Sequence, residues 1–446
     1  IKYTPIKNLF SNSFLMQKVV FKTFGCSNNF SESEVMAGIL EEKGYSAEES
    51  SDFSSAEIVV FNMCSVKGPS VNLCLNLIRK LKQSNPGKKI VVAGCVPKTL
   101  IPEIHSINKN ISILNTHHIE KINQVIGSSF ENNPQEFSFY NPKVKLGFPK
   151  KRINSLVSIV PILSGCNDHC SYCSTVLIKG PTFSFPQEKI LNEVEKSVLE
   201  GCKEVWITSQ DNGAYLTEKG KTQLPQLIKK ICRIKGDFFI RIGMTNPNYI
   251  LQCLPELIKV MKNKKVFKFL HIPVQSGNNE VLKKMKRRYT VEEYKKIIKT
   301  LKKEIPEITI ATDVIVGFPT ETKKQFLDSF NLIKETKPEV LNISRFQSRP
   351  ATLASTMKQL KGEEIKERSR KLTKLFYRIS LENNKKWIGK KCKVLIDEKG
   401  KRKNQSIGRN SSYKQIVFEK KIPLGKKVKA KIIGAERFHL VGKLLE

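Results

Sequence analysis

The stretch Leu163-Ser-Gly-Cys166-Asn-Asp-His-Cys170-Ser-Tyr-Cys173 places three thiols at C-x3-C-x2-C spacing. Thiolates are soft ligands that select iron–sulfur clusters, zinc or Cu(I). An electron-transfer [4Fe–4S] centre is held by four cysteines, so three neighbouring thiols indicate a cubane with one iron left open to bind a small molecule. Structural zinc has four ligands, usually in paired elements, and His169 is poorly placed to be the fourth. The spacing therefore favours a cluster over zinc or three buried thiols.

Tyr172, directly before the last of these cysteines, completes a loop that resembles the signature of radical S-adenosylmethionine enzymes. The resemblance implies that Cys166, Cys170 and Cys173 hold a [4Fe–4S] cluster whose open iron binds S-adenosylmethionine. It also implies that Tyr172 lies beside that cofactor. An electron donor is then an expected partner, because cleavage of S-adenosylmethionine consumes one electron.

The composition indicates which partners and which cellular compartment suit this protein. The 446 residues include 78 lysines and arginines against 41 acidic residues, a formal net charge of +37. This excess favours a polyanionic partner, first nucleic acid and second an anionic membrane surface, although a lysine-rich proteome would also produce it. The 11 cysteines are scattered, unlike a secreted disulfide framework, and no apolar run approaches the roughly 18 residues of a membrane span. We therefore expect a cytoplasmic protein without a membrane partner.

Changes in pattern along the chain suggest several domains, as the length does. Residues 1–16 are expected to be a leader without function, and residues 17–127 alternate strand and helix patterns. Residues 128–152 have no periodicity and are predicted to be a linker. Residues 153–385 are predicted to form a barrel with a following helix, and residues 386–446 a separate module.

The first domain is predicted to be an α/β domain with a parallel sheet, because short β-rich runs alternate with helical patterns. The helix that follows the first strand is predicted at Ser31–Lys43, since Ser31-x-x-Glu34 is typical of a capping box. The strands are predicted at Val19–Phe24, Glu57–Asn62 and Lys89–Ala93.

Cys26, Cys64 and Cys95 each follow one of these strands by one or two residues. The carboxyl ends of parallel strands line up along one edge of a sheet, so the three thiols are expected to converge on a second cluster. Glycines directly before two of them allow tight turns. Each cysteine alone could instead be a small buried residue, and Cys74, inside a predicted helix, is expected to be one.

The motifs around these cysteines, Thr23–Glu34, Asn62–Ser70 and Val92–Pro97, resemble the N-terminal domain of methylthiotransferases. The run Val-Lys-Gly-Pro-Ser at residues 66–70 is similar to the archaeal and eukaryotic branch, which acts on threonylcarbamoyladenosine in tRNA. The resemblance implies that the second triplet holds another [4Fe–4S] cluster, which supplies the methylthio group.

Six strand-like runs from residue 156 to residue 346 alternate with helical patterns and predict a partial (βα)6 barrel. The active site of such a barrel lies at the carboxyl ends of its strands, and the triple-cysteine loop follows the first strand. The loops after later strands match the family pattern in order. By that resemblance, the candidate cofactor contacts are Gln210, Asp211, Asn246, Gln275, Ile315 and Gly317.

Basic residues near two of these loops are candidate RNA contacts. Lys286, Arg287 and Arg288 lie where relatives also carry basic residues. Arg349 belongs to the loop after the sixth strand, where the family usually has a proline- and glycine-rich motif. Here Ala351 replaces the usual glycine, so the geometry of this loop is expected to differ.

Residues 386–446 contain 18 lysines and arginines against 5 acidic residues. Five short alternating runs predict a small antiparallel β-barrel, with Lys427, Lys429 and Lys431 on its basic face. Such OB-like barrels bind nucleic acid on one face, and this module resembles the TRAM RNA-binding domain. Tyr413, Phe418 and Phe438 could stack on bases or belong to the core.

Taken together, the resemblance implies a monomeric radical S-adenosylmethionine tRNA methylthiotransferase with two [4Fe–4S] clusters. It would convert N6-threonylcarbamoyladenosine, 3′ of the anticodon in the tRNA anticodon stem-loop, to its 2-methylthio derivative after radical removal of the C2 hydrogen. One alternative is the same chemistry on isopentenyladenosine tRNA or on a ribosomal protein. Another is a non-enzymatic iron–sulfur protein that binds RNA. No catalytic residue is expected beyond the cluster ligands.

Overall fold

The computed structural model describes residues 17–65, 68–215 and 221–445. The predicted leader, residues 1–16, lies outside these ranges, as do Val66 and Lys67 of the branch motif. No helix within the described ranges is both long enough and apolar enough to cross a membrane.

The N-terminal domain is an α/β layer structure around a six-stranded sheet in the order β2-β1-β3-β4-β5-β6, with every neighbouring pair parallel. Alternating apolar residues along its strands bury both faces. The predicted parallel-sheet domain is confirmed. Its elements are β1 (Lys18–Thr23), α1 (Ser27–Glu42), β2 (Ser46–Glu49), β3 (Ile58–Cys64), α2 (Gly68–Ser84), β4 (Lys89–Cys95), α3 (Ile101–Ile107), β5 (Ser112–Asn115), α4 (Ile122–Phe130) and β6 (Glu136–Phe137).

Helix α1 begins four residues before the predicted start, since Cys26 and not Ser31 is its N-cap. Ser31 and Glu34, which suggested a capping box, are buried inside the helix. Their side chains reach the barrel: Ser31 Oγ donates to the Ile159 carbonyl at 3.4 Å, and Glu34 Oε1 accepts from the Ile153 amide at 3.1 Å. Ser31 and Glu34 thus make contacts between the N-terminal domain and the barrel, and do not cap the helix.

The predicted linker at residues 128–152 is partly regular. It contains the end of α4 and the two-residue strand β6, which adds a parallel edge to the sheet beside β5. A strand of two residues is too short to show periodicity, so the sequence pattern could not reveal it.

The central domain is an open barrel of parallel strands in the order β7-β10-β11-β12-β13-β14, in which an Ile240–Val266 bridge joins two three-stranded sheets. This confirms the predicted partial barrel. Its elements are β7 (Val157–Pro161), β8 (Leu163–Ser164), α5 (Thr175–Lys179), β9 (Phe183–Ser184), α6 (Gln187–Leu199), β10 (Glu204–Thr208), α7 (Leu224–Arg233), β11 (Phe239–Ile242), α8 (Pro247–Met261), β12 (Phe269–His271), α9 (Asn279–Lys284), α10 (Val291–Glu304), β13 (Thr309–Val316), α11 (Lys323–Thr336), β14 (Val340–Arg345) and α12 (Gly362–Lys385).

The C-terminal module is a closed five-stranded barrel in the order β15-β16-β17-β19-β18. The prediction that all its strands are antiparallel is wrong for one pair, because β17 and β19 run parallel. A ring with an odd number of strands cannot alternate direction throughout, so closure requires one parallel pair. The strands are β15 (Lys391–Lys399), β16 (Ser406–Asn410), β17 (Gln415–Phe418), β18 (Lys427–Ala435) and β19 (Leu440–Leu444).

This module packs against the amino-terminal ends of the barrel strands, the end opposite the cysteine loop. The Lys268 amide, one residue before β12, donates to the Ser411 carbonyl at 2.7 Å. The Tyr413 ring lies 4.8 Å from the Phe267 ring and 5.1 Å from the Phe269 ring, centroid to centroid. Tyr413 therefore joins two domains, whereas Phe438 is 64% exposed.

Candidate active site between two cysteine triplets

The central triplet lies in the loop between β8 and α5. The Asp168 amide donates to Cys166 Sγ at 3.4 Å, and the Thr175 amide donates to Cys173 Sγ at 3.5 Å. Arg287 Nη1 donates to Cys170 Sγ at 3.1 Å. Donors directed at sulfur stabilise its thiolate form, the form that binds metal.

The N-terminal triplet gathers around Asn29, at the start of α1. Cys64 and Cys95 are the last residues of β3 and β4 and are direct register partners in the sheet. Asn29 Oδ1 accepts from the Cys26 amide at 3.3 Å, and Asn29 Nδ2 lies 3.8 Å from Cys95 Sγ. Cys26 is exposed, and burial raises the pKa of Cys95 to about 12 although Lys179 lowers it. Three cysteines from distant parts of the sequence thus share one edge of the sheet.

Glycines make this close approach possible. Gly25 has φ +119°, and a β-carbon there would lie 2.5 Å from the β-carbon of Cys64. Gly94 has φ +92°, and a β-carbon there would lie 2.1 Å from Asn62 Oδ1. Both positions therefore require glycine.

The donor chemistry of both triplets fits an iron–sulfur cluster, since each offers three soft sulfur ligands. In the described part of the chain, no three Cys, His, Asp or Glu side chains already meet in the arrangement of a metal site. Each triplet would therefore close on a cluster by turning its thiols toward a common centre. His169, the fourth ligand that zinc would need, has an exposed position in the central loop.

Polar side chains at the ends of β10 and β11 form a buried network beside the central triplet. Asn246 Nδ2 donates to Asp211 Oδ2 at 2.6 Å and to Asp168 Oδ2 at 2.8 Å. Burial and the Asp168 carboxylate raise the pKa of Asp211 to about 7. Gln210 Oε1 is buried and has no hydrogen-bond partner within the described structure. An unsatisfied buried oxygen is costly, so Gln210 fits a donor supplied by a bound molecule.

Three further candidate contacts lie at the ends of β12 and β13. Gln275 has φ +67° and pairs with Val314 in a parallel bridge. Ile315 is half-buried, and the Gly317 amide donates to Glu321 Oε2 at 3.0 Å. Together with the network after β10 and β11, these residues place all six candidate cofactor contacts at the strand ends that the barrel directs toward the cysteine loop.

Tyr172 packs its ring against Phe318, 6.4 Å between centroids, and belongs to a small apolar cluster under the cysteine loop. Its contact with a cofactor remains a prediction. The packing alone accounts for an aromatic residue at this position.

The interpretation of Lys286, Arg287 and Arg288 as one RNA-facing run needs correction at Arg287. Arg287 points inward and donates to Asn246 and Cys170. Arg288 pairs with Asp168 and lies near the Tyr249 ring. Lys286 is exposed, and the Arg288 side chain is 55% exposed despite its ion pair. Both remain predicted RNA contacts, whereas Arg287 faces the site because its carboxylates and thiols attract it.

The basic face of the C-terminal module is also smaller than predicted. Lys427 pairs with Asp237 of the barrel and lies over the Phe239 ring, 4.6 Å from its centroid. Lys429 and Lys431, two and four residues further along β18, are exposed. Lys427 therefore helps to hold the module on the barrel.

Arg349 lies between the two triplets, in the loop that follows β14. Burial lowers the pKa of Arg349, while the thiols of Cys173 and Cys64 raise it. The residue lines a cavity of about 810 Å³. Ser65 and Val96, which follow two cysteines of the first triplet, line the same cavity, as does Ser174 after the second. The cavity thus opens beside both triplets.

Ala351, where the family usually has glycine, has φ +61° in this loop. A non-glycine residue in the left-handed region costs about 1–2 kcal/mol. Ala351 thus holds backbone strain at the wall of the cavity.

Ala351→Gly should therefore raise the free energy of unfolding, by about 0.5–1 kcal/mol after the added freedom of the unfolded chain is subtracted. Differential scanning calorimetry of the full chain measures the change. Ala354→Gly is the matched control: Ala354 is fully buried outside the left-handed region, so it should lower the unfolding temperature. A lower unfolding temperature for Ala351→Gly would contradict the assignment of strain.

Two residues of the site were missed by reasoning from the sequence. Asn29 connects the first triplet, and Asp168 connects the second to Asn246 and Arg288. Both lie inside quoted motifs, within three residues of a cysteine, and that proximity was the available signal.

Three family models match the chain. They are "Uncharacterized protein family UPF0004" over residues 18–115, "Radical SAM superfamily" over residues 160–333 and "TRAM domain" over residues 385–445. Together they cover the three units described above.

Curated relatives match along most of the chain. A Pyrococcus horikoshii protein named "Probable threonylcarbamoyladenosine tRNA methylthiotransferase" is 40% identical, over 96% of this chain and 100% of its own. The Drosophila melanogaster protein named "Threonylcarbamoyladenosine tRNA methylthiotransferase" is 36% identical, over 96% of this chain and 78% of its own. Among solved structures, the radical S-adenosylmethionine methyltransferase TsrM from Kitasatospora setae, with cobalamin and a [4Fe–4S] cluster bound, has a TM-score of 0.54. It is 13% identical and covers 76% of this chain and 74% of its own, which shows the fold alone.

Proposed function

The chain belongs to the threonylcarbamoyladenosine tRNA methylthiotransferase family, and from this premise we propose that it converts N6-threonylcarbamoyladenosine in tRNA to the 2-methylthio derivative. Identity of 36–40% over nearly the whole chain supports this substrate. The structural observation that carries the proposal is the cavity beside both cysteine triplets.

S-adenosylmethionine and an iron–sulfur cluster are the cofactors that the radical SAM match supports. Their residence at Cys166, Cys170 and Cys173, and a second [4Fe–4S] cluster at Cys26, Cys64 and Cys95, are parts of the proposal. When bound, these groups supply radical chemistry at an unactivated carbon, and a sulfur source, that side chains cannot provide.

The chain's own residues would bind and orient the reactants. Asn246 donates hydrogen bonds to Asp211 and to Asp168, which lies in the cysteine loop. These bonds connect the ends of two barrel strands to the loop that would hold the cofactor. Arg287 keeps a positive charge against Cys170, which offsets the negative charge of bound thiolate.

The cavity fits a nucleobase turned out of its stack. Its volume of about 810 Å³ is within the range of small-molecule sites, and unstacked anticodon-loop bases can be splayed into a pocket. Tyr140 and Leu177 add exposed apolar surface at its wall. Lys98 and Arg349 are the basic residues of its wall. Arg349 would meet an anionic part of the substrate, since a guanidinium binds carboxylate or phosphate in a bidentate manner.

Nucleoside mass spectrometry tests the substrate. The reconstituted chain, S-adenosylmethionine and a reductant are incubated separately with tRNA bearing N6-threonylcarbamoyladenosine and with tRNA bearing isopentenyladenosine. We expect the 2-methylthio product from the first alone. Product from isopentenyladenosine instead would support the other tRNA substrate.

Two further results would redirect the assignment. Methylthiolation of a ribosomal protein in place of either tRNA would identify a protein substrate. Cluster-loaded protein that binds tRNA but does not cleave S-adenosylmethionine would support a non-enzymatic RNA-binding protein.

Substitution of Lys429 and Lys431 tests whether the C-terminal module binds RNA electrostatically. Each phosphate contact contributes about 0.7–0.9 to the slope of log affinity against log salt. Lys429→Ala/Lys431→Ala should therefore weaken tRNA binding and make that slope shallower by about 1.5, as measured by filter binding at several salt concentrations. Lys189→Ala/Lys196→Ala, which removes two exposed charges from α6, is the matched control. Equal effects of the two double variants would count against a contact at β18.

A further inference from the structure

Three buried charged side chains lie behind the N-terminal triplet, where α1, the segment after β6 and the end of α5 meet. Glu32 Oε1 accepts from Lys145 Nζ at 2.6 Å and lies 3.5 Å from Lys179 Nζ. The side chains of Glu32, Lys145 and Lys179 are 2%, 7% and 3% exposed. Both of these lysines therefore share one carboxylate.

Thr116, just after β5, completes the group. Its hydroxyl donates to Glu32 Oε1 at 2.5 Å and accepts from Lys145 at 2.7 Å and from Lys179 at 3.2 Å. The bonds to Glu32, from Asn28, Thr116 and the two lysines, all meet on Oε1. Glu32 Oε2 is buried without a hydrogen-bond partner within the described structure. The two ammonium groups are thus held in fixed positions.

With both lysines protonated, the group carries one more positive charge than negative. Burial alone would raise the pKa of Glu32, but the two lysines lower it to about 2, so the carboxylate is ionised. Burial lowers the pKa of Lys145, against the effect of Glu32, whereas Cys95 and Glu32 together raise the pKa of Lys179 above its usual value. An uncompensated buried charge is strongly destabilising, so this arrangement favours an anion nearby.

The N-terminal triplet is where that anion belongs. Lys179 donates to the Thr116 hydroxyl at 3.2 Å, and the Thr116 amide donates to the carbonyl of Gly94, the residue before Cys95, at 2.8 Å. An oxidised [4Fe–4S] core carries two positive charges and three thiolates bring three negative ones, so such a site has one net negative charge. One excess positive charge in the protein therefore matches one excess negative charge at the metal site.

We propose that Lys179, fixed by Glu32 and Lys145, is a positioning residue that stabilises the electron-rich state of the N-terminal cluster and raises its reduction potential. The proposal rests on the second cluster of the proposed function. Charge close to a cluster sets its potential, and reduction adds one electron beside the ammonium group. Lys179 also ends the helix that follows Cys173, so the same side chain links the two cysteine sites.

The test isolates the N-terminal cluster in the full chain. Cys166→Ala/Cys170→Ala/Cys173→Ala removes the central ligands, and the parent is reconstituted with iron and sulfide. An EPR-monitored titration with dithionite and mediators gives the midpoint potential. Lys179→Met should lower the ratio of reduced to oxidised cluster at the parent's midpoint at least tenfold, a shift of about 59 mV for a one-electron couple. Lys179→Arg, which keeps the charge, should stay near the parent.

Lys150→Met is the matched control. Lys150 and Glu193 form a buried one-to-one pair at 2.6 Å, 4% and 5% exposed, and neither is among the groups that act on Cys95. The control should leave the midpoint unchanged. An unchanged midpoint in Lys179→Met, or equal shifts in Lys179→Met and Lys179→Arg, would overturn the proposal.

Iron content separates the remaining outcomes. If Lys179→Met takes up no iron while Lys179→Arg does, the need for the charge is supported; loss of iron in both overturns it. If the parent takes up no iron, the N-terminal triplet does not hold a cluster, and this part of the proposed function is wrong. If the parent takes up iron but its midpoint does not depend on Lys179, only the proposed role of this lysine is wrong.

Discussion

Cys173→Ala should abolish cleavage of S-adenosylmethionine. In the structure, Cys173 is the last thiol of the central triplet and lies two residues before α5. Two thiols cannot hold a cubane that already lacks a fourth protein ligand, so this cluster should be lost. Chromatography of the 5′-deoxyadenosine formed by reduced, reconstituted protein measures the effect. The variant should give only the signal seen without protein.

Cluster content distinguishes loss of the ligand from loss of the fold. The variant should retain about four irons per chain where the parent has about eight. Cleavage at the parent's rate would show that Cys173 is not needed for the reaction. Bound zinc in the parent would instead support the alternative of a zinc centre.

Cys64→Ala should separate the two halves of the reaction. Cys64 ends β3, beside Cys95, in a different sheet from the barrel strands that carry the central loop. Cleavage of S-adenosylmethionine should stay within about twofold of the parent, as expected for sites that do not share ligands. Formation of the 2-methylthio nucleoside should stop, because the proposed sulfur source is lost. Both products are measured in the same reaction mixture.

Cys74→Ala is the control for this variant. Cys74 is a fully buried thiol of α2 within the apolar layer over the same sheet. It should lower stability but keep both iron content and product formation. Loss of both activities in Cys64→Ala, with the control intact, would contradict the proposal that the two triplets serve separate steps of the reaction.

Local patterns in the sequence were sufficient for the fold and for the grouping of the cysteines. Alternation and turn residues located the strands, and parallel strands align their ends, so Cys64 and Cys95 could be predicted to lie together. In the structure they are direct register partners. The same logic placed Asp211 and Asn246 at neighbouring strand ends, where they form a hydrogen bond.

Partners that are distant in the sequence could not be predicted in this way. A basic run is typical of an RNA contact, yet Arg287 meets Cys170, which lies 117 residues earlier in the chain. Lys427 alternates with apolar residues like its neighbours, but Asp237 of another domain pairs with it. The sequence shows a charge and its spacing, while the group that neutralises it depends on the tertiary fold.

The docking of the C-terminal module also decides how that module can be studied. Tyr413 covers Phe267 and Phe269, and Arg241 lies over the Trp206 and Phe269 rings in the same layer. Truncation after residue 385 would uncover this aromatic surface at the base of the barrel, and an apolar patch newly open to water promotes self-association. A shortened chain would then precipitate for reasons unrelated to tRNA.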